Sequence, residues 1–186
     1  MSLYPPPTEI ETTVFTSVPD EFADPERGSD WIDTNKPGQK VPSFLEGPSF
    51  DRNGNLYVTD IPQGRVFRTS PDGDWTLVAD YDGWLNGLRF HKDGRIFIAD
   101  YKFGIMELDP VNGRVTGFLT HLHSEGFKGV SDFVFDSQGR LYFTDQGQSG
   151  MHNPTGGVYR YDLEAGKLDC LSILAPAQTA PAIPPL

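Results

Sequence analysis

One fifteen-residue pattern occurs three times along this chain, and no other feature restricts the fold as strongly. The first copy is Glu46-Gly-Pro-Ser-Phe-Asp-Arg-Asn-Gly-Asn-Leu-Tyr-Val-Thr-Asp60 and the second Asn86-Gly-Leu-Arg-Phe-His-Lys-Asp-Gly-Arg-Ile-Phe-Ile-Ala-Asp100. The third is Ser131-Asp-Phe-Val-Phe-Asp-Ser-Gln-Gly-Arg-Leu-Tyr-Phe-Thr-Asp145. Phe50, Phe90 and Phe135 coincide, as do Gly54, Gly94 and Gly139, and Asp60, Asp100 and Asp145. The aligned phenylalanines stand 40 and then 45 residues apart. A period of about 40–50 residues is that of a propeller blade.

Each copy divides into four short strands. In the first these are residues 48–50, 56–59, 65–68 and 75–78, with hairpin turns at Asn53-Gly54 and Asp72-Gly73. The later copies continue through Ile105–Leu108 and Val115–Phe118, then Val158–Tyr161 and Leu168–Leu171. Nearly unbroken apolar runs, Ile96-Phe97-Ile98 and Leu141-Tyr142-Phe143, suit second strands covered on both faces. The third and fourth strands alternate more and read as outer strands. The expectation is an all-β fold, a β-propeller of about three four-stranded blades (residues 46–80, 86–120 and 131–172) within a unit spanning 41–174. Residues 1–40 read as an N-terminal strand at Glu11–Val18 followed by a polar loop. Residues 175–186, rich in Ala and Pro, read as a disordered tail.

Composition agrees and excludes several classes of partner. Gly (20) and Pro (16) make up about a fifth of the 186 residues, as expected of a turn-rich β protein. With 26 acidic and 15 basic residues the net charge is −11, which repels phosphate backbones, so no nucleic-acid partner is expected. No apolar run approaches the roughly 20 residues of a membrane span. The N-terminus has neither a basic nor an apolar signal region, so a cytoplasmic location is expected. The single cysteine, Cys170, reads as a small apolar strand residue.

In a propeller the first strand of each blade lines the central channel, so equivalent residues at its mouth converge. Here these are Glu46, Asn86 and Ser131, each four positions before its blade's Phe, with Asp132 next in line. One carboxylate among neutral oxygens suits a hard cation such as Ca²⁺. Polar strand ends bonded between blades would carry the same residues. His121, His123 and Glu125 form a weaker candidate for Zn²⁺, more simply read as an inter-blade loop. His91 and His152 read as solvated loop residues. Trp31, Trp75 and Trp84 would border a ligand pocket or pack between blades.

The run Leu45-Glu-Gly-Pro-Ser-Phe-Asp51, together with Asn86-Gly-Leu-Arg-Phe90 and Gly156-Gly-Val-Tyr-Arg-Tyr161, resembles the gluconolactonase/regucalcin family, which includes senescence marker protein and luciferin-regenerating enzyme. The resemblance covers about residues 41–172. It implies a six-bladed, Ca²⁺-dependent propeller that opens small lactone esters and, in some relatives, cleaves organophosphates; other divalent cations are compatible. It makes Glu46 a metal ligand and puts Ser131 where family members place a ligand or substrate contact, while Asn86 is read as a contact to substrate or metal from its equivalent place in the channel. Asp132 is left as the only local carboxylate for the catalytic base. The family's later Pro-Asn-Gly and Asp-Gly ligand motifs have no counterpart in this sequence. Two expectations therefore stand: a lactonase impaired by truncation, or a non-catalytic propeller fragment or interaction module. Self-association completing the ring is a further expectation.

Overall fold

In the computed structural model, which describes residue 5, residues 7–150 and residues 152–173, each repeat forms one four-stranded antiparallel sheet whose strands lie in chain order. Blade 1 comprises β1 (Leu45–Phe50), β2 (Leu56–Asp60), β3 (Arg65–Thr69) and β4 (Trp75–Asp80). Blade 2 comprises β5 (Leu85–Phe90), β6 (Ile96–Asp100), β7 (Gly104–Asp109) and β8 (Arg114–Leu119). A two-stranded ribbon, β9 (His121–Leu122) and β10 (Glu125–Gly126), precedes blade 3. Blade 3 comprises β11 (Val130–Phe135), β12 (Leu141–Asp145), β13 (Gly157–Asp162) and β14 (Lys167–Ile173).

Local chemistry explains the hairpins. Asp51 Oδ1 accepts the backbone N–H groups of Asn53 and Asn55, which folds the chain back between β1 and β2. Asp136 Oδ1 does the same for Gln138 and Arg140 in blade 3. Such a side-chain mimic of a backbone turn is the characteristic use of Asp at these positions. Blade 2 has His91 at this place. It is buried rather than solvated: its ring packs 4.9 Å from Phe135, and Nδ1 lies 2.8 Å from Asp93 Oδ1.

Period-two alternation sorts the central strands between two cores. Ile96 and Ile98 of β6 face blade 1, joining Tyr57, Val66, Leu85, Leu88 and Met106. Phe97 and Ala99, on the other side of the same strand, face blade 3 with Ile105, Val130, Phe133, Phe143 and Tyr159. An apolar run without alternation is what a strand between two packed sheets requires. Two of the third strands depart from the expected alternation, since β3 and β7 are almost wholly buried inside sheets covered on both faces, whereas β13 alternates, with Val158 exposed between buried Gly157 and Tyr159. Only the fourth strands are outer ones.

The N-terminal segment also departs from expectation. Residues 11–18 pair with no strand among the described residues; Val14 and Phe15 are exposed, so no buried face fixes a register. Thr16 Oγ1 instead accepts a hydrogen bond from Trp75 Nε1 (2.9 Å). The polar stretch at 20–40 contains a 3₁₀ turn (Asp20–Phe22) and a short helix, α1 (Asp30–Asn35). Ser29 caps α1 by accepting the Ile32 N–H, and Ile32 is buried. Cys170 lies in β14 with its side chain exposed. The expected tail at 175–186 lies outside the described residues. Among the described residues no helix is long and apolar enough to cross a membrane.

Candidate functional site at the bulged inner strands

The three inner strands are irregular at the same place. Pairing with the second strand breaks between Glu46 and Ser49 in β1, between Leu85 and Leu88 in β5, and between Val130 and Phe133 in β11. A bulge frees residues from the ladder and re-aims their side chains, which is why bulges are common beside active sites. Glu46 borders the break in β1, while Asn86, Ser131 and Asp132 lie within the breaks in β5 and β11. The three breaks also bring the strands together. A Cβ built on Gly47 would stand 2.5 Å from the Asn86 carbonyl oxygen, and one on Gly87 would stand 2.3 Å from Asp132 Oδ1. Glycine at both positions lets successive inner strands touch. In sequence, the place of Gly47 and Gly87 in the third copy is taken by Asp132.

Each candidate side chain has a defined setting. Glu46 is exposed, and its Oε2 accepts the Gly47 N–H at 3.2 Å. Asn86 donates from Nδ2 to the Trp84 carbonyl at 3.0 Å, which directs its Oδ1 away from that carbonyl. Ser131 is exposed. Asp132 accepts the Phe133 N–H on Oδ1 (2.8 Å) and the Arg89 guanidinium on Oδ2 (3.3 Å). Arg89 and Asp132 border a recess of about 320 Å³ with Phe133, Val134, Tyr142 and Val158. Arg89 carries no sequence signal for this role, since its equivalents in the other copies are Ser49 and Val134.

The repeated aspartates that end the second strands serve another purpose. Asp60 is fully buried, accepts the Phe44 N–H on Oδ1 and pairs through Oδ2 with Arg65 Nε at 3.0 Å. Asp100 accepts the N–H groups of Trp84, Lys102 and Phe103 and the Tyr81 hydroxyl. Burial pushes the Asp100 carboxyl up against these stabilising bonds, and burial together with the Asp100 charge holds the Tyr81 phenol well above its ordinary range. Asp145 accepts from Lys128 N and Gly147 N. Asp100 and Asp145 latch the chain entering the inner strand to the loop that follows the second strand, and Asp60 latches it to Arg65 at the start of β3, so this repeat is structural.

Other candidates separate clearly. Trp31 and Trp84 line a polar cavity of about 280 Å³ with Arg27, Gln63 and Asp82. Trp75 packs edge-on against Phe67, 5.4 Å between ring centroids. His121, His123 and Glu125 are all exposed. Among the described residues no group of three or more His, Cys, Asp or Glu side chains is placed to hold a metal ion. The oxygen-only donors at the inner strands are chemically suited to a hard divalent cation. Within the described blades they provide Glu46 and Asn86 Oδ1 as donors, with Asp132 already held by Arg89.

Four-stranded sheets stacked in chain order, each with its first strand innermost and bulged at one mouth, define a β-propeller assembled here as three consecutive blades. The chain belongs to the family described as SMP-30/Gluconolactonase/LRE-like region, which it matches over residues 44–176. Among curated relatives, lactonase drp35 of Staphylococcus aureus strain MRSA252 is 34% identical over 137 residues, covering 69% of this chain and 40% of the relative. The chain thus spans well under half the length of the curated relatives it matches. Solved structures agree on the fold. A gluconolactonase from Xanthomonas campestris, XC5397, superposes with a TM-score of 0.63 at 19% identity, covering 71% of this chain and 48% of that one. Regucalcin of Agrobacterium tumefaciens strain C58, described as a calcium-binding protein, gives 0.55 at 21% identity, covering 70% and 43%.

Proposed function

We propose that this chain contributes the first half of a lactone-hydrolysing propeller site. The observation that supports the reading is the irregular pairing of three inner strands, which breaks next to Glu46 in β1 and at Asn86 and Ser131-Asp132 in β5 and β11. Family membership and the lactonase drp35 relatives support the same chemistry. Hydrolysis adds water to the lactone carbonyl carbon, breaks the ring C–O bond and releases a hydroxy acid. Glu46 and Asn86 Oδ1 would hold a divalent cation, Ca²⁺ by analogy with the regucalcin neighbour. Such a cation, when bound, supplies Lewis acidity toward a carbonyl oxygen. Asn86 and Ser131 would orient the lactone, and Asp132, held by Arg89, would accept the proton from the attacking water. A location in the cytoplasm belongs to the same proposal.

A second reading rests on a specific observation. The Asp132 carboxylate already accepts from both Arg89 and the Phe133 N–H, and the described residues supply too few acidic ligands for a closed cation site. In that reading the chain is a non-catalytic propeller module. Calorimetric titration with Ca²⁺, run beside lactone hydrolysis with and without chelator, separates the two. Chelator-sensitive turnover that Glu46→Gln abolishes supports the lactonase. Absence of both Ca²⁺ heat and turnover supports the module.

A further inference from the structure

Two buried polar atoms beside one cavity are left without partners. Gln63 and Trp84 both line the recess of about 280 Å³ where residues 27–31 meet the turns that follow β2 and β4. Gln63 is 4% exposed. Its Nε2 donates to the carbonyls of Arg27 (3.2 Å) and Val41 (3.1 Å), which uses both amide hydrogens and fixes the orientation of the amide. Its Oε1 then accepts nothing among the described residues. Trp84 Nε1 likewise meets no acceptor among them. The indole itself is well held, stacked on Tyr101 at 5.9 Å between ring centroids, while the Trp84 backbone N–H is bound by Asp100. Buried indoles ordinarily find a hydrogen-bond partner. A buried donor or acceptor left unmade costs about 1–3 kcal/mol. One of each beside the same cavity points to an occupant that serves both.

The chemistry of the walls narrows what that occupant is. Arg27 Nη2 bonds both carboxylate oxygens of Asp80, at 2.9 and 3.0 Å. Lys102 Nζ does the same for Asp82, at 2.9 and 3.0 Å, and reaches Asp30 Oδ2 at 3.2 Å. The charged groups are thus matched with one another. An anion would find no unpaired cation among the described lining residues and would face three carboxylates. A cation could not accept from the Trp84 indole, and a hydrocarbon would leave both buried atoms unmade. A hydroxyl answers both, because it accepts from an N–H and donates to an amide oxygen. Carboxylates keep lone pairs after one ion pair, so Asp80 and Asp82 can accept from further hydroxyls. The indoles of Trp31 and Trp84 add apolar surface for the C–H faces of a ring. The volume lies just below the range of about 300–1,000 Å³ typical of small-molecule sites, which suits a single ring.

We propose that this cavity binds a small neutral polyhydroxylated molecule, a single-ring polyol. Its hydroxyls accept from Trp84 Nε1 and donate to Gln63 Oε1, and its ring lies against the indoles. The proposal does not rest on lactone hydrolysis, since none of Glu46, Asn86, Ser131 and Asp132 lines the cavity.

Titration of the full chain with myo-inositol, followed by tryptophan fluorescence and calorimetry, tests this, with near-ultraviolet circular dichroism to verify folding. Cyclohexanol, which keeps the ring and a single hydroxyl, is the comparison probe. Inositol should bind saturably with a dissociation constant of about 10 mM or tighter, and cyclohexanol about tenfold more weakly or not at all. Trp84→Phe keeps an aromatic ring against Tyr101 and removes the indole N–H, so it should weaken inositol binding about tenfold. Excess chelator should leave that binding unchanged. No saturable signal with inositol up to about 100 mM means that the cavity holds water alone and overturns the proposal. Cyclohexanol binding as tightly as inositol overturns the role of the hydroxyls, and a folded Trp84→Phe with the parent's affinity overturns the role of the indole. Binding that chelator abolishes belongs to a cation site, which overturns the location without bearing against the lactonase. Where Trp84→Phe does not fold, Trp31→Leu decides: it should weaken inositol binding about fivefold, and unchanged affinity overturns the proposal.

Discussion

Gly47 lies so close to Asn86 that a methyl group on it would stand 2.5 Å from the Asn86 carbonyl oxygen, and its φ of +56° is one that side chains disfavour. The contact holds the first two inner strands together at the bulge that carries the candidate site. Gly47→Ala meets backbone on one side and left-handed strain on the other, so it should cost about 2–4 kcal/mol in urea denaturation. Gly87→Ala meets chiefly Asp132 Oδ1, the end of a side chain that can turn away, and should cost about 1 kcal/mol or less. Equal losses at the two positions would contradict this account of the strand contact.

The buried pair of Asp60 and Arg65 leads to a second prediction. Both side chains are essentially inaccessible, and the Asp60 carboxylate also accepts the Phe44 N–H. Asp60→Ala leaves the guanidinium buried without its counter-ion, which should destabilise the chain by about 3–5 kcal/mol. Exposed pairs such as Arg27 with Asp80 should matter far less to global stability, about 1 kcal/mol or under. Thermal unfolding of Asp60→Ala beside Asp80→Ala measures the contrast.

How far the sequence disclosed these arrangements depended on whether the information repeats along the chain. The blades were legible because Phe50, Gly54 and Asp60 recur at the same offsets in each copy, and because Ile96-Phe97-Ile98 announces a strand buried on both faces. The family followed from the Glu46-Gly47-Pro48 start. Nothing repeated predicts the path of residues 16–44, whose structure depends on single contacts such as Phe22 on Phe67. Arg89 was likewise illegible, because its partnership with Asp132 joins two blades across 43 residues. His91 looked solvated since it stands in a turn; its burial comes from Phe135 of the next blade. At the candidate site, residue positions were legible and the shared bulge was not, because register is a property of pairing rather than of either strand alone.

Asp93 supplies a pH prediction with a definite sign. Slight burial pushes its carboxyl up, but the Arg95 N–H, His91 and the Arg95 guanidinium outweigh this and hold it down to about 2, against an ordinary value of 3.8. A carboxylate depressed in the folded state adds stability that is present above the unfolded value and disappears as pH falls through the folded one. That contribution should therefore fade between about pH 4 and pH 2. In urea titrations over this window, Asp93→Asn should lose less stability on acidification than the parent. An identical acid dependence in the two proteins would show that the Asp93 contacts do not persist in solution.

Thr59 and Thr144 occupy equivalent positions in blades 1 and 3, so one substitution made at both separates the effect of a partner from that of the residue type. Thr59 Oγ1 donates to the Asn86 carbonyl, inside the contact between two blades, and Thr59 itself is fully buried. Thr144 is exposed on the free face of blade 3. Thr→Val keeps the shape and removes the hydroxyl. At position 59 it withdraws a donor from a buried carbonyl and should cost about 1–2 kcal/mol. At position 144 it removes nothing that is bonded among the described residues, and valine is at least as good a strand former as threonine. The cost there should be within about 0.5 kcal/mol of zero for a single chain. Chemical denaturation of both single variants beside the parent reads the difference directly, and equal costs at the two positions would contradict this account of the inter-blade bond.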